Sequence, residues 1–224
     1  MKKIPTVFVM DYEKDALTPH VRPGLEWVIR GEGTATVKFD GSACRWHDGR
    51  LWKRYDRKLD KQAQRRHDRG EDLRPLLDGA SRDSLFKTPP PGFEPCEDAP
   101  DPVTFHWPGW VPVSADQPED RWHNEALKHL DEPLIEGCSY ELVGPSVAKN
   151  PYALARHTLW RHGRETVDLP DRSFEALGHF LASREIEGLV FHHPDGRMAK
   201  LRRKDYGLFW VQEDQRKPRR RSDA

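Results

Sequence analysis

Cysteine is scarce in this chain of 224 residues. Cys44, Cys96 and Cys138 lie far apart and form no Cys-x-x-Cys pair. An odd count at such spacing argues against both a disulfide framework and a zinc knuckle. The eleven histidines contain no His-x-x-x-His spacing, so they read as core or surface residues rather than a metal cluster. No apolar run approaches the roughly 18 residues that cross a bilayer. The start, Met1-Lys2-Lys3-Ile4-Pro5, lacks an apolar stretch of signal-peptide length. These absences predict a soluble protein of a reducing cytoplasm, with no membrane and no obligate protein partner implied. Gly-x-x-x-x-Gly-Lys-Ser/Thr does not occur. Gly31-Glu32-Gly33 begins like a dinucleotide fingerprint, but Thr36 stands where the third Gly or Ala belongs, and no helix pattern follows. The P-loop is therefore absent, and the pattern argues against a Rossmann loop. Net charge is missing too, since 37 basic residues balance 37 acidic ones. That sum excludes no class of partner, because the local pattern of charge decides.

What is present is a length suited to one large domain or two small ones, enough to bury a core. Residues 4–10 and 25–30 read as strands. Residues 34–39 form a strand carrying Lys38, which Asp40-Gly41 turns onto 42–46. His47-Asp48-Gly49 turns again into 50–55. This pattern predicts an antiparallel meander. Around residues 53–69, Lys53, Arg54, Arg57, Lys58, Lys61, Arg65, Arg66 and Arg69 face only Asp56, Asp60 and Asp68. Such a stretch is either a solvated surface or a track for nucleic-acid phosphates. Prolines gather between Pro89 and Pro118, which predicts a long irregular insertion. Its aromatics, Phe105-His106-Trp107-Pro108-Gly109-Trp110, read first as a local mini-core, with base stacking the sharper alternative. Residues 122–130 and 173–184 have helical spacing. Residues 134–145 contain a strand with Glu141 among apolar neighbours, and an acid there is expensive unless it has a partner. Further strands are predicted over 157–160 and 187–191. Asp195-Gly196 turns the last of these into 198–202, which puts Lys200 and Arg202 on one face. The reading is one domain over 1–210 with a basic, disordered tail at 211–224.

Lys38-x-Asp40-Gly41 is weak in isolation, because a lysine before an Asp-Gly turn is ordinary hairpin chemistry. Three further pieces follow it in order. They are Tyr140-Glu141-Leu142-Val143-Gly144, Glu187-Gly188-Leu189-Val190-Phe191 and Lys200-Leu201-Arg202. Together the four pieces resemble motifs I, III, IV and V of the ATP-dependent RNA ligases, within the lysine nucleotidyltransferase superfamily. Other stretches resemble the cellular RNA 5′-to-3′ ligase family. They are Glu26-Trp27-Val28, Leu51-Trp52-Lys53-Arg54-Tyr55-Asp56-Arg57-Lys58 and His106-Trp107-Pro108-Gly109-Trp110.

The resemblance implies a mixed α+β fold of ATP-grasp type, with antiparallel sheets flanking an ATP cleft and no OB-fold module after Gly207. It implies ATP and Mg²⁺ (or Mn²⁺), and RNA with 5′-phosphate and 3′-hydroxyl ends. Lys38 would be the nucleophile that carries AMP. A free lysine titrates at roughly 10.4, so attack needs its proton removed. Glu187 would face the lysine and help hold the metal, directly or through water. Glu141 would bond the ribose, and Lys200 and Arg202 would clamp the α-phosphate. Asp40 would serve the later steps. Arg54 and Lys58 would contact the nucleotide, and Val37 and Phe39 would offer backbone groups to adenine. A side chain from the 157–160 strand would stack on that base. Arg57, Lys61, Arg65 and Arg66 would meet RNA. The chain departs from the family at Arg202, where a lysine is usual, and at Ala43, where Arg or Asn is usual. Arginine still forks onto phosphate. A DNA nick ligase, a capping enzyme and an inactive RNA-binding protein are the alternatives.

Overall fold

In the computed structural model the described residues are 3–11, 13, 16–79 and 82–208. Trp210 and the basic tail lie outside them. In chain order the elements are β1 (Phe8–Asp11), β2 (Ala16–Val21), α1 (Glu26–Ile29), β3 (Thr34–Lys38), β4 (Ser42–His47), β5 (Arg50–Arg57) and α2 (Lys61–Asp68). Then come β6 (Glu94–Pro95), β7 (Trp107–Pro112), α3 (Arg121–Lys128), β8 (Ser139–Val143), β9 (Thr158–Arg161) and β10 (Thr166–Val167). The last are α4 (Phe174–Ala182), β11 (Gly188–His192) and β12 (Met198–Arg202). The fold is mixed α/β with antiparallel sheets. Among the described residues no helix is long and apolar enough to cross a membrane.

The chain divides into two compact units. The first groups Ser42–Val147 and Leu154–Trp160, together with Lys3. Its sheet has six strands in the order β6-β7-β5-β4-β8-β9. One face carries Cys44, Leu51, Tyr140 and Leu142 into a core completed by Ala126 and Leu159. A second cluster gathers Leu59, Ala63, Leu73, Phe86, Phe105 and Trp107 under α2, which supports the mini-core expected for the proline-rich aromatics. Asp60 caps α2 by accepting the N–H of Ala63 at 2.7 Å, satisfying one of the orphan donors of the first turn.

The second unit groups Ile4–Gly41, Ala148–Ala153 and 161–208. It has the β1-β2 pair and a four-stranded sheet in the order β10-β3-β11-β12. Strand alternation sorts this sheet cleanly. Ala35, Leu189, Phe191, Ala199 and Leu201 point into a core with Trp27, Val28, Leu177 and Leu181. Lys38, Gly188 and Arg202 make one cross-strand row of the opposite face, and Thr36, Val190 and Lys200 make the next.

Three expectations are corrected. Residues 26–29 are the helix α1, not a strand; Trp27 and Val28 are both buried, which consecutive positions of a one-sided strand cannot be. Asp40-Gly41 is not a hairpin turn. β3 pairs with β10 and β11, whereas β4 pairs with β5 and β8, so the chain passes there from one sheet to another. Of the two turns in the expected meander, the His47-Asp48-Gly49 turn does make its hairpin, with Asp48 and Gly49 both at positive φ. Finally, 107–112 is not irregular. β7 pairs with β5 from Trp107 to Pro112, while on its other side only Trp110 and Gly109 meet β6. That open side tolerates prolines, which have no N–H for a second ladder.

Candidate active site

Lys38 ends β3 on the polar face of the four-stranded sheet. Its amine contacts the carboxylate of Glu187 and lies 3.3 Å from the Phe39 carbonyl. Both partners of the pair are mostly shielded from water, with side chains 24% and 15% exposed. Gly188 stands between Lys38 and Arg202 on the central strand, so the floor of this row is bare backbone. A Cβ there would lie 2.1 Å from the Leu201 carbonyl oxygen, so only glycine lets β12 pair this closely. Lys200 is half-buried one row away. Burial, reinforced by Arg202 and Lys38, pushes its amine down to about 8 against the opposing pull of Glu187 and Asp205. Arg202 does not stand alone. Its Nε and Nη2 fork onto buried Asp205, with contacts of 2.6 to 3.1 Å. Lys38, Glu187, Lys200 and Arg202 are thus brought together by one sheet.

The six-stranded sheet of the first unit holds the other residues expected at a nucleotide. Glu141 is buried on β8, opposite Ala43. By alternation Glu141, Ala43, Arg45, Trp52, Arg54 and Trp110 share the face turned away from the Cys44 core. Arg54 reaches Cys96 Sγ at 3.2 Å and lies 5.4 Å from the Trp110 ring. Arg45 lies over Trp52 at 4.7 Å and pairs with Glu94. Of the 157–160 strand, His157 is drawn inside, stacked on Trp122 at 4.5 Å and bonded to Glu125. Leu159 faces the core, so Trp160 lies on the Glu141 side. Phe39 is buried, and the Val37 N–H already donates to the Glu165 carbonyl at 2.9 Å.

A family model described as RNA ligase 1 matches residues 128–221. RNA ligase 1 of Rattus norvegicus is 31% identical over a stretch covering 49% of this chain and 43% of that protein. RNA ligase 1 of Mus musculus is 32% identical with the same coverage, and that of Danio rerio is 29% identical. The chain resembles an RNA ligase family. The match spans less than half the length of these relatives. The RNA ligase 1 model takes in Glu141, Glu187, Lys200 and Arg202, and it begins after Lys38.

The basic residues of the chain divide by burial. Lys58, Lys61 and Arg65 are exposed. Arg66 forks onto Glu71. Arg57 is 6% exposed, donates to the Lys87 carbonyl and Asp83, and lies 5.1 Å from the Trp107 ring. Its place is inside the protein rather than on a surface that RNA could reach. Two residues escaped the sequence reading. Asp205 was detectable, since it stands three after Arg202. Tyr152, whose hydroxyl meets the Asp40 N–H at 2.6 Å, gave no signal, because its partner lies 112 positions away.

Proposed function

We propose that this chain is an ATP-dependent RNA ligase of the lysine nucleotidyltransferase superfamily, its residues 1–210 forming an ATP-grasp-type domain. It joins a 5′-phosphate to a 3′-hydroxyl of RNA through a lysyl-AMP and an RNA-adenylate. The observation that carries this reading is the contact of Lys38 with Glu187 on a sheet face shared with Lys200 and Arg202, in a chain similar to RNA ligases. Lys38 Nζ attacks the α-phosphorus of ATP; an N–P bond forms, the P–O bond to pyrophosphate breaks, and the amine proton passes to solvent. A 5′-phosphate oxygen then takes AMP from Lys38. A 3′-hydroxyl finally attacks that 5′-phosphorus, and AMP leaves. Lys200 and Arg202 supply positive charge where negative charge builds up on phosphate oxygens. Glu141 accepts from ribose hydroxyls, Arg54 donates to phosphate or ribose, and Trp160 stacks on adenine. Asp40 serves the sealing steps.

Mg²⁺ or Mn²⁺ fits this donor set, since Mg²⁺ is usually held by one or two carboxylates plus substrate phosphates, and Glu187 offers such a carboxylate. Its contribution when bound is to neutralise the phosphates of ATP. Cys44, Cys96 and Cys138 are not joined in disulfides, which suits a reducing cytoplasm.

The purified protein, given α-labelled ATP and Mg²⁺, is expected to become covalently labelled, and Lys38→Ala to lose the label while its circular dichroism stays unchanged. A wild-type protein that takes no label, yet binds RNA, would reduce it to a binding protein. Labelling by GTP instead would make it a capping enzyme, and sealing of nicked DNA alone a DNA ligase.

A further inference from the structure

Among the described residues six non-glycine residues have positive φ, and four of them stand in one short loop. They are Ala148 (45°), Lys149 (62°), Asn150 (55°) and Ala153 (51°). Three left-handed residues in succession are unusual for L-amino acids, because Cβ crowds the following carbonyl. Asn tolerates the region through its short polar side chain, but Ala148 and Lys149 have no such compensation. Strain of this kind persists only where the surroundings over-determine it. The loop Ala148–Ala153 groups with the second unit, while the chain on both sides of it groups with the first.

The loop delivers Tyr152. Its hydroxyl oxygen accepts the Asp40 N–H at 2.6 Å. The carbonyl of that same peptide group belongs to Phe39, and it lies 3.3 Å from Lys38 Nζ. One planar peptide is therefore gripped at its N–H end by Tyr152 and touched at its carbonyl end by the Lys38 amine. We propose that Tyr152 is a positioning residue: by fixing the Phe39–Asp40 peptide, it sets the carbonyl that orients the Lys38 amine for attack. Without that grip the peptide plane can rotate, and the carbonyl and the amine lose their common geometry. The strained loop is what carries the hydroxyl to a peptide that local sequence could not bring it to.

This inference rests on Lys38 being the residue that takes AMP. The test is Tyr152→Phe, which removes the hydroxyl and keeps the ring. Two quantities are read on the full chain. The Asp40 amide is expected to exchange its hydrogen faster than in wild type, with core amides unchanged. The maximal rate of covalent labelling at saturating ATP is expected to fall by about ten- to a hundredfold, the size of effect that a small misplacement of a reacting group produces. The ATP concentration at half-maximal rate is expected to stay the same. A maximal rate equal to wild type overturns the proposal, as does a rate loss that saturating ATP restores. Global unfolding of Tyr152→Phe, seen as faster exchange throughout the core, overturns it in favour of a purely structural tyrosine. If the wild-type protein takes no label at all, the functional reading fails first, and this inference fails with it; the Asp40 exchange result still reports whether the grip exists.

Discussion

Lys200 carries the clearest electrostatic consequence of the site. Its folded value of about 8 lies below the 10.5 of an ordinary lysine, because burial and the neighbouring Arg202 and Lys38 disfavour its charge. Between those values the unfolded chain binds more protons than the folded one. Lys200 therefore makes folding stability rise as pH climbs from about 8 to 10.5. For a phosphate ligand the sign is opposite, since the cation that would hold it fades above about pH 8. The ATP concentration needed for half-maximal labelling is expected to rise above pH 8 in the wild type. In Lys200→Arg it is expected to stay level to higher pH, because a guanidinium remains charged. A wild-type value that stays flat to pH 10 would separate Lys200 from the phosphate. Arg202 is a poorer probe, because Asp205 already balances its charge.

β11 does most of the assembly in the second unit, and its first residue sets how tightly. Gly188→Ala places a methyl 2.1 Å from the Leu201 carbonyl oxygen and 2.8 Å from the Arg202 Cα, and neither atom is a flexible side-chain end. The expected cost is about 1–3 kcal/mol of unfolding free energy, as for other forced overpacking, together with slower labelling. Denaturant titration measures it, and a change under about 0.5 kcal/mol, typical of surface substitutions, would mean the strands part freely. The β11–β12 hairpin was legible in the sequence because its cues are local. Apolar and polar residues alternate, Asp195-Gly196 turns the chain, and Lys200 and Arg202 fall on one face. The strand β3 was legible for the same reason, but its partner was not. Asp40-Gly41 is a local turn signal, whereas β11 reaches β3 from about 150 positions away, and nothing in Thr34–Lys38 announces it. α1 misled in another way. Leu25-Glu26-Trp27-Val28-Ile29 has the composition of a strand, and four residues are too few for helical spacing to declare itself. In β7 the prolines that suggested a loop sit along a ladder open on one side.

Across the whole chain the charges cancel, so any attraction to RNA depends on where the cations stand rather than on how many there are. The basic stretch has been sorted by folding. Arg57 is spent on Asp83 and the Lys87 carbonyl, and Arg66 is spent on Glu71. Lys61 and Arg65 remain exposed four positions apart on α2, which sets them on one face of the helix. Two cations aligned in this way can each neutralise a phosphate and release its counterion. For single-stranded RNA each such contact adds about 0.7 to the slope of log affinity against log salt. The double variant Lys61→Ala/Arg65→Ala is therefore expected to bind RNA more weakly at low salt, by a similar factor for every sequence, with a slope shallower by about 1.4. Binding measured across a salt series gives both quantities. A weaker affinity with an unchanged slope would mean that α2 acts through the fold rather than through phosphate. An unchanged affinity would leave Lys61 and Arg65 as solvated surface, and the RNA track would have to be sought on a face that local charge did not reveal.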